Sequence, residues 1–432
     1  MRSALPPEPD TLLNEATDPR LVAWHARWQT GLAAQDAQGL RRRRRLQGGQ
    51  ILFCSNDYLG LAQHPRLAQA ASDAAQRHGV GSGASHLISG HHACHDALEE
   101  ALADWFAPHI PQVRALYVST GFMANLGALG ALASEDSAFF CDRLNHASLI
   151  DGARLARASQ RCTVLRYPHA DLAALDRQLA ASPARWKWIV TDGVFSMDGD
   201  CADLIGLLRL CDQHDAWLIV DDAHGVGVLG AQEGQGCLAQ QGVRSERLVL
   251  VGTLGKALGV GGAFVVAPPL VIEHLIQHAR PYIYTTATPP LLSHATLAAL
   301  QIVRSPEGLE RRQRVLDHVA RFVAAMAGLL PPEGLVLPAG HAPGLIPSHT
   351  PIQAWLVGDN ATALRLAQRL DDQGLRVGAI RPPTVPPGTA RLRITFSAAH
   401  SAEQVDALAG ALRDALRDEG WREPDVLAPG CG

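Results

Sequence analysis

The chain has 432 residues, 47% of them hydrophobic and 19% charged, and a formal net charge of −4. This composition is typical of a globular protein and excludes a disordered or fibrous chain, and the length favours one large domain with a smaller one beside it. The charge predicts no nucleic-acid partner, and no apolar stretch approaches the roughly 20 residues that would span a bilayer. The eight cysteines are scattered without a CxxC pair, which favours reduced thiols and a cytoplasmic location.

The N-terminal part of the chain is predicted to be helical. Residues 10–45 mix apolar and charged residues at helical spacing, so residues 1–50 are expected to form an N-terminal helical segment. Residues 1–18 lack the pattern of a secretory signal. The basic run Arg41–Arg45 could be a nucleic-acid patch or a targeting signal, but a solvated face is commoner and is the preferred interpretation.

From about residue 48, short β-rich runs alternate with helical stretches. The runs are RALYVST, SAFFCD, WKWIVTDG, AWLIVDDAH and RLVLVGTLGK. Continuous apolar strands separated by helices predict an α/β fold with a mostly parallel central sheet covered by helices. Residues 51–290 are expected to form this large domain. Ligands of such sheets lie at the carboxyl ends of the strands, where polar residues collect in this chain.

A second, smaller unit is predicted after Pro289-Pro290, which marks a break. Two long helical stretches follow, LLSHATLAALQIV and RRQRVLDHVARFVAAMAGLL. Strand patterns then alternate with helices as far as residue 418. Residues 291–432 are therefore expected to form a small C-terminal α/β domain.

The stretch VGTLGKALGV places Lys256 among glycines, directly after a buried strand. A lysine in such a position can have a lowered pKa and attack a carbonyl as an amine. Lys256 could therefore hold an aldehyde cofactor as a Schiff base. A phosphate-binding or surface lysine is the alternative, although the spacing does not match a P-loop.

Other strand ends carry residues that suit the same cofactor. Asp221 could pair with a pyridinium nitrogen and His224 could donate to a phenolic oxygen, although a helix cap and a core histidine are equally good explanations. Gly121 follows Ser-Thr at a helix N-terminus, where a phosphate or an ordinary N-cap would fit. His146 could stack on a ring, and Ser196 follows a third strand. Taken together, an aldehyde, a ring nitrogen, a phenolic oxygen and a phosphate describe pyridoxal phosphate (PLP).

The order of several motifs resembles the α-oxoamine synthases, which are fold-type I PLP-dependent transferases. These motifs are STGFMAN, NHASLID, VFSMDGD, DDAHGVGVLG, TLGKALG, YIYTTATPP and PPTVPPGTARLRITFSAAH. The resemblance covers residues 20–418 and implies that residues 51–290 bind PLP. It is strongest to members that condense L-alanine with a pimeloyl thioester, carried by acyl carrier protein (ACP) or coenzyme A (CoA), in biotin synthesis. A sister synthase such as a glycine C-acetyltransferase, or a non-catalytic PLP-binding regulatory module, is the alternative.

The resemblance also implies roles for individual residues. The implied catalytic residues are Lys256, which would form the Schiff base and move the α-proton, His146, Asp221 and His224. The implied cofactor contacts further include Gly121, Phe122, Ser196, Thr253, Thr285 and Thr286. The implied substrate contacts are Arg41, Asn56, His146, Thr384 and Arg393. Thr285 and Thr286 would reach the phosphate of a neighbouring subunit, which implies a homodimer with shared sites.

The stretch GHHACHD resembles a set of metal ligands through His91, His92, Cys94 and His95. No carboxylate or distant partner completes a zinc pattern, and the stretch begins a helix. His95 is therefore interpreted as structural, and no metal is predicted.

Overall fold

The structure is a computed structural model that describes residues 18–423. Its helices are α1 (Pro19–Ala37), α2 (Pro65–His78), α3 (Ala93–Phe106), α4 (Gly121–Leu132), α5 (Ala147–Gln160), α6 (Leu172–Ala181), α7 (Leu204–His214), α8 (Gly236–Gln240), α9 (Pro269–His278), α10 (Arg280–Ile283), α11 (Pro290–Val303), α12 (Pro306–Met326), α13 (Asn360–Asp372) and α14 (Ala402–Asp418). Its strands are β1 (Ile51–Leu52), β2 (Arg114–Val118), β3 (Ser137–Asp142), β4 (Thr163–Tyr167), β5 (Trp186–Asp192), β6 (Ala216–Asp221), β7 (Leu248–Thr253), β8 (Ala263–Ala267), β9 (Gly344–Leu345), β10 (Ile352–Gly358), β11 (Leu375–Arg376), β12 (Gly378–Ile380) and β13 (Ala390–Thr395). The predictions for residues 1–17 and for Cys431 lie outside the described residues.

The N-terminal helix is shorter than predicted. It starts after Asp18, whose side chain accepts a hydrogen bond from the backbone N–H of Arg20, and it ends at Ala37. Gly39 follows with a φ of 63°, a left-handed conformation in which glycine commonly stops a helix. Residues 38–50 contain no helix, so the prediction that the helix extends to residue 45 was wrong.

The large sheet has seven strands in the order β2-β8-β7-β6-β5-β3-β4. Strand β8 runs antiparallel to both of its neighbours and the other strands are parallel, which confirms the predicted mostly parallel sheet. Neighbouring residues of β6 belong to different cores, with Leu218 and Val220 in one and Ile219 in the other. Helices therefore cover both faces of the sheet.

A smaller antiparallel sheet has the order β12-β13-β10-β9. Its core includes Phe322 of α12 and Phe396, and α14 packs against α12. Phe53 belongs to the same core, and β1 just before it pairs in parallel with β11. The segment after residue 50 thus packs with the C-terminal part of the chain, and the domain boundaries at residues 50 and 290 stay a prediction.

The topology brings three strand ends together. Asp192 ends β5, Asp221 ends β6 and Thr253 ends β7, and Asp192 and Asp221 are direct partners in the parallel pairing. The carboxyl ends of parallel strands meet at one edge of a sheet, which is the usual ligand site of this fold class. Among the described residues, no helix combines the length and apolar character of a membrane span.

Candidate active site

Lys256 lies just beyond β7, and its amine contacts a buried histidine. Its Nζ is 2.9 Å from Nε2 of His224, which follows the end of β6. Burial lowers the pKa of Lys256 from 10.5 to about 8, although the carboxylate of Asp221 acts in the opposite direction. Burial and the Lys256 charge lower the pKa of His224 well below its usual value, so this ring is neutral. The pair therefore holds an amine that can lose its proton near neutral pH.

A hydrogen-bond chain runs from this pair to Arg393. Nδ1 of His224 is 2.7 Å from the hydroxyl of Tyr58, a fully buried residue in the loop after β1. Asn56 Oδ1 accepts hydrogen bonds from the Tyr58 hydroxyl at 3.2 Å and from Nη2 of Arg393 at 3.2 Å. The chain therefore joins Lys256 to an arginine of the small sheet.

Arg393 lies buried on β13 without a carboxylate partner among the described residues. Its Nε donates to the backbone oxygen of Ser196 at 2.5 Å, and its other bonds go to Asn56 and Tyr58, which are neutral. Arg391, two residues earlier on the same strand, instead forms an ion pair with Asp198. A buried guanidinium that neutral groups hold in place is suited to bind the carboxylate of a ligand.

The carboxylate of Asp221 is held by the neighbouring helix α4. Asn125 Nδ2 donates to Asp221 Oδ2 at 2.5 Å and to Ser148 Oγ at 2.8 Å, and the Ala223 N–H donates to Asp221 Oδ1 at 3.0 Å. Asp222 has a different environment, because its Oδ2 accepts from the Cys237 N–H at 2.7 Å. Of the two adjacent aspartates, Asp221 is the one bonded to the residues around the strand ends.

His146 caps α5 at the same edge of the sheet. Its Nδ1 is 2.6 Å from Ser148 Oγ, and its backbone N–H donates to Asp192 Oδ2 at 2.8 Å. Burial and the Asp221 charge raise the pKa of Asp192 well above its usual value. Burial lowers the pKa of His146, so the neutral ring is favoured. The residue as a whole is nevertheless solvent-accessible, so a ligand can reach it.

The N-terminus of α4 completes this edge. Thr120 caps the helix by accepting from the Met123 N–H at 3.2 Å, and Gly121 and Phe122 lie in the first turn, where the helix itself provides no acceptor for the N–H groups. An added Cβ on Gly121 would lie 4.0 Å from the side chain of Thr253, so α4 begins next to the end of β7. Thr253 Oγ1 donates to the Gly262 oxygen at 3.2 Å.

Comparison with known proteins identifies the family. Residues 48–412 match the model of aminotransferase class I and II. A Cupriavidus pinatubonensis protein named 8-amino-7-oxononanoate synthase is 57% identical over 86% of this chain and 88% of its own length. A Polaromonas naphthalenivorans protein of the same name is 52% identical, with 91% and 98% covered. The chain belongs to the 8-amino-7-oxononanoate synthase family.

Solved structures agree with this placement. A serine palmitoyltransferase from S. paucimobilis, solved with PLP and myriocin, has a TM-score of 0.80 at 26% identity and covers 93% of this chain and 99% of its own. An 8-amino-7-oxononanoate synthase from Francisella tularensis has a TM-score of 0.69 at 28% identity, with 86% and 99% covered. The predicted fold-type I architecture is thereby confirmed, and PLP is the cofactor of this synthase family member.

The residues at the strand ends fit this cofactor. Lys256 offers an amine with a lowered pKa, and Asp221 offers a carboxylate that Asn125 fixes beside it. The first turn of α4 offers N–H groups that suit a phosphate, with Gly121 leaving room for close approach. His224 and His146 are the neutral rings next to them.

Two groups of predicted site residues form no hydrogen bond with Lys256, Asp221 or His224 within residues 18–423. Arg41 forms an ion pair with Asp36, whereas its neighbour Arg42 has Nη2 3.5 Å from Thr384 Oγ1. In the other group, Thr286 is exposed and pairs with Ser85 as an isolated bridge, and Thr285 beside it is partly buried. No hydrogen bond within residues 18–423 links these threonines to Lys256.

The sequence reasoning missed three residues that contact predicted site residues. Tyr58 joins His224 to Arg393, Asn125 holds Asp221, and Arg42 rather than Arg41 contacts Thr384. Asn125 lies within the motif STGFMAN, and Tyr58 lies two residues after Asn56, an expected substrate contact. The available signal for Asn125 was a polar side chain among the apolar and small residues of GFMANLG.

Proposed function

We propose that this protein condenses L-alanine with a pimeloyl thioester and gives 8-amino-7-oxononanoate, CO2 and the free thiol carrier, as a step of biotin synthesis. The names of its relatives support the reaction. The observation that carries the proposal is the hydrogen-bond chain between Lys256 and Arg393. It connects an amine of lowered pKa to a buried guanidinium that has no acidic partner within residues 18–423. The amine suits the α-proton of an amino acid, and the guanidinium suits its carboxylate.

Lys256 is proposed as the group that moves the α-proton. When bound, PLP supplies an electron sink for the charge that proton removal leaves on the α-carbon. A base works best when its pKa is near the working pH, and burial brings the pKa of Lys256 to about 8. The neutral ring of His224 lies 2.9 Å away and keeps the amine in place through a hydrogen bond.

Arg393 is proposed to bind the carboxylate of L-alanine. Its Nε bond to the Ser196 oxygen and its Nη2 bond to Asn56 fix the plane of the guanidinium before a ligand arrives. A fixed, buried guanidinium can orient the amino acid so that the bond to be broken has the correct direction. Thr384 and Arg41 remain proposed substrate contacts, and Arg42 joins them through its contact with Thr384.

The remaining roles concern the cofactor. Asp221 is proposed to keep the ring nitrogen protonated, with His224 next to the phenolic oxygen and His146 stacked on the ring. Gly121, Phe122, Ser196 and Thr253 are proposed to contact the cofactor as well, since they lie at or beside the same strand ends. Thr285 and Thr286 are proposed to reach the phosphate of the partner subunit in a homodimer.

The pimeloyl group is proposed to arrive as a thioester of either ACP or CoA. The enzyme is proposed to act in the cytoplasm. The cysteines within residues 18–423 are free thiols, which is the state that a reducing compartment maintains.

The test is a mass spectrum of the reaction products. Purified protein with PLP receives L-alanine and pimeloyl-CoA in one tube, L-alanine and pimeloyl-ACP in a second, and glycine and acetyl-CoA in a third. The proposal predicts the mass of 8-amino-7-oxononanoate in at least one of the first two tubes and no product in the third. Product in the third tube alone would instead indicate a sister synthase.

A further inference from the structure

A cluster of histidine and carboxylate side chains lies outside the site described above. One ring nitrogen from each of His86, His91 and His95 lies within 4.8 Å of the other two. His86 begins a π-helical turn, His91 directly follows that turn, and His95 is in the first turn of α3. His91 forms a second group of the same compactness with Asp96 and Glu99. Four further potential ligands therefore surround His91, namely His86, His95, Asp96 and Glu99.

The rings of His86 and His91 present the same atom to each other. Their Nδ1 atoms are 2.7 Å apart, so either one proton or one cation must lie between the two lone pairs. In a tetrahedral zinc site, two imidazole nitrogens at about 2.0–2.1 Å from the ion are about 3.3 Å apart. Rotation of the rings that separates the nitrogens by about 0.6 Å would therefore make room for an ion.

The groups behind the rings also match a metal site. Nε2 of His91 is 2.8 Å from Asp96 Oδ1, and Nε2 of His95 is 2.9 Å from the backbone oxygen of Thr288. A metal-bound histidine almost always donates its second ring N–H to a carboxylate or a backbone carbonyl, which directs the other nitrogen at the ion. Both outer partners are already in place here.

His95 is the weakest of the three ligands. Its Nδ1 accepts a hydrogen bond from the His92 N–H at 2.9 Å, and an ion would have to replace this bond. His86 and His91 are therefore the principal ligands. The carboxylates of Asp96 and Glu99 lie beside His91 and would balance the charge of the ion.

We propose that His86, His91 and His95 bind one divalent transition-metal ion of the zinc class in each chain. Imidazole nitrogens favour zinc, copper or nickel over magnesium or calcium, which prefer oxygen ligands. This site is separate from the PLP site and does not depend on the proposed reaction. It departs from the expectation of no metal, because the fold adds His86 to the histidines of GHHACHD and sets Asp96, the last residue of that stretch, beside His91.

The ion would hold two segments of the chain together. His95 bonds to the Thr288 oxygen, and Ser82 Oγ donates to the same oxygen at 2.6 Å. The ring of His86 stacks on Tyr282 with centroids 5.0 Å apart. An ion at His86 would therefore fix the residues on both sides of Thr285 and Thr286, which are the proposed contacts to the partner subunit.

The experiment is a Zn²⁺ titration of the PLP-bound protein, purified without a polyhistidine tag and first treated with a chelator. Calorimetry should give one Zn²⁺ per chain, and the single variants His86→Gln and His91→Gln should each weaken binding at least about 10-fold. His341→Gln, which changes an exposed loop histidine, is the matched control and should bind as the wild type does.

Asp96→Asn is a second variant that does not threaten the fold, because the Asp96 side chain is 63% exposed. Loss of this outer carboxylate should weaken Zn²⁺ binding about 10-fold. Circular dichroism of each variant checks that the fold is intact. The proposal is overturned if the wild type binds no Zn²⁺, or if the His86→Gln/His91→Gln double variant and Asp96→Asn bind it as tightly as the wild type.

Discussion

The hydroxyl of Tyr58 lies 2.7 Å from Nδ1 of His224, although the two residues are 166 positions apart in the chain. The tyrosine comes from the loop that follows β1, and the histidine follows the end of β6. The contact joins the segment that packs on the small sheet to the centre of the large one. Through it, the position of Arg393 and the position of Lys256 depend on one another.

Tyr58→Phe should slow the enzyme without unfolding it. The ring volume is kept, but His224 loses its Nδ1 partner and Arg393 loses one acceptor. We expect kcat/KM to fall about 10- to 100-fold, as befits a lost hydrogen bond within a charged network. Tyr117→Phe is the control, because Tyr117 is also fully buried but lies outside the site. Equal losses in both variants would refute the role given to Tyr58.

Asn125→Ala should weaken the binding of PLP. The variant removes the donor to Asp221 Oδ2, so the carboxylate is no longer held in one orientation. Loss of a hydrogen bond to a charged group should raise the dissociation constant of PLP about 10-fold or more. Fluorescence titration of the cofactor-free protein with PLP measures this constant. Asn145→Ala is the control, since Asn145 is equally buried but donates to the backbone oxygen of Val190. Unchanged PLP affinity in Asn125→Ala would contradict the assignment.

Arg393→Lys should raise the KM for L-alanine about 100-fold, because a lysine cannot make the paired hydrogen bonds of a guanidinium to a carboxylate. The KM for the pimeloyl thioester should change little. Arg391→Lys on the same strand breaks the ion pair with Asp198 and should lower thermal stability more than it changes either KM. A rise in the KM for the thioester alone would show that Arg393 does not bind L-alanine.

Lys256→Ala should abolish turnover, with a loss of at least about 10³-fold, because no other amine occupies this position. The visible absorption band of the PLP-bound enzyme should also shift. Retention of product formation in the mass-spectrometric assay would rule out the proposed role of this lysine.

Lys256→Met should stabilise the cofactor-free protein at neutral pH. Burial lowers the pKa of Lys256 from 10.5 in the unfolded chain to about 8 in the folded protein, so the folded state is penalised whenever the amine is charged. The penalty is complete below pH 8 and disappears as the pH rises through 10.5. We expect a gain of about 3 kcal/mol in the free energy of unfolding at pH 7. Denaturant titrations that show the same gain at pH 7 and pH 10.5 would contradict this explanation.

The strand-end residues could be predicted because their chemistry and their position coincide in the sequence. Asp221 ends an apolar run, and His224 and Lys256 each lie three residues beyond the end of a strand. Parallel strands must end at the same edge of the sheet. Asn56 and Arg393 were predicted from the resemblance alone, because their contact spans 337 positions and two sheets. No local pattern encodes a contact of that length.

The residues that were missed act through position rather than through reactive chemistry. Tyr58 and Asn125 are ordinary core residues until the fold places them beside His224 and Asp221. Arg42 contacts Thr384 whereas Arg41 pairs with Asp36, and no sequence pattern distinguishes neighbouring positions within a run of five arginines. The expected role of Thr285 involves a second subunit, which no single chain contains.

The parallel pairing of β1 with β11 also constrains how the protein is made. About 320 residues separate the two strands, so a ribosome that adds ~5–20 residues per second needs roughly 16–65 s to supply the partner of β1. During that time Asn56 and Tyr58 cannot take their final places, even if the large sheet has already formed. A nascent chain is therefore without its complete substrate pocket, and open to chaperones and proteases, until the last quarter of the sequence has been translated.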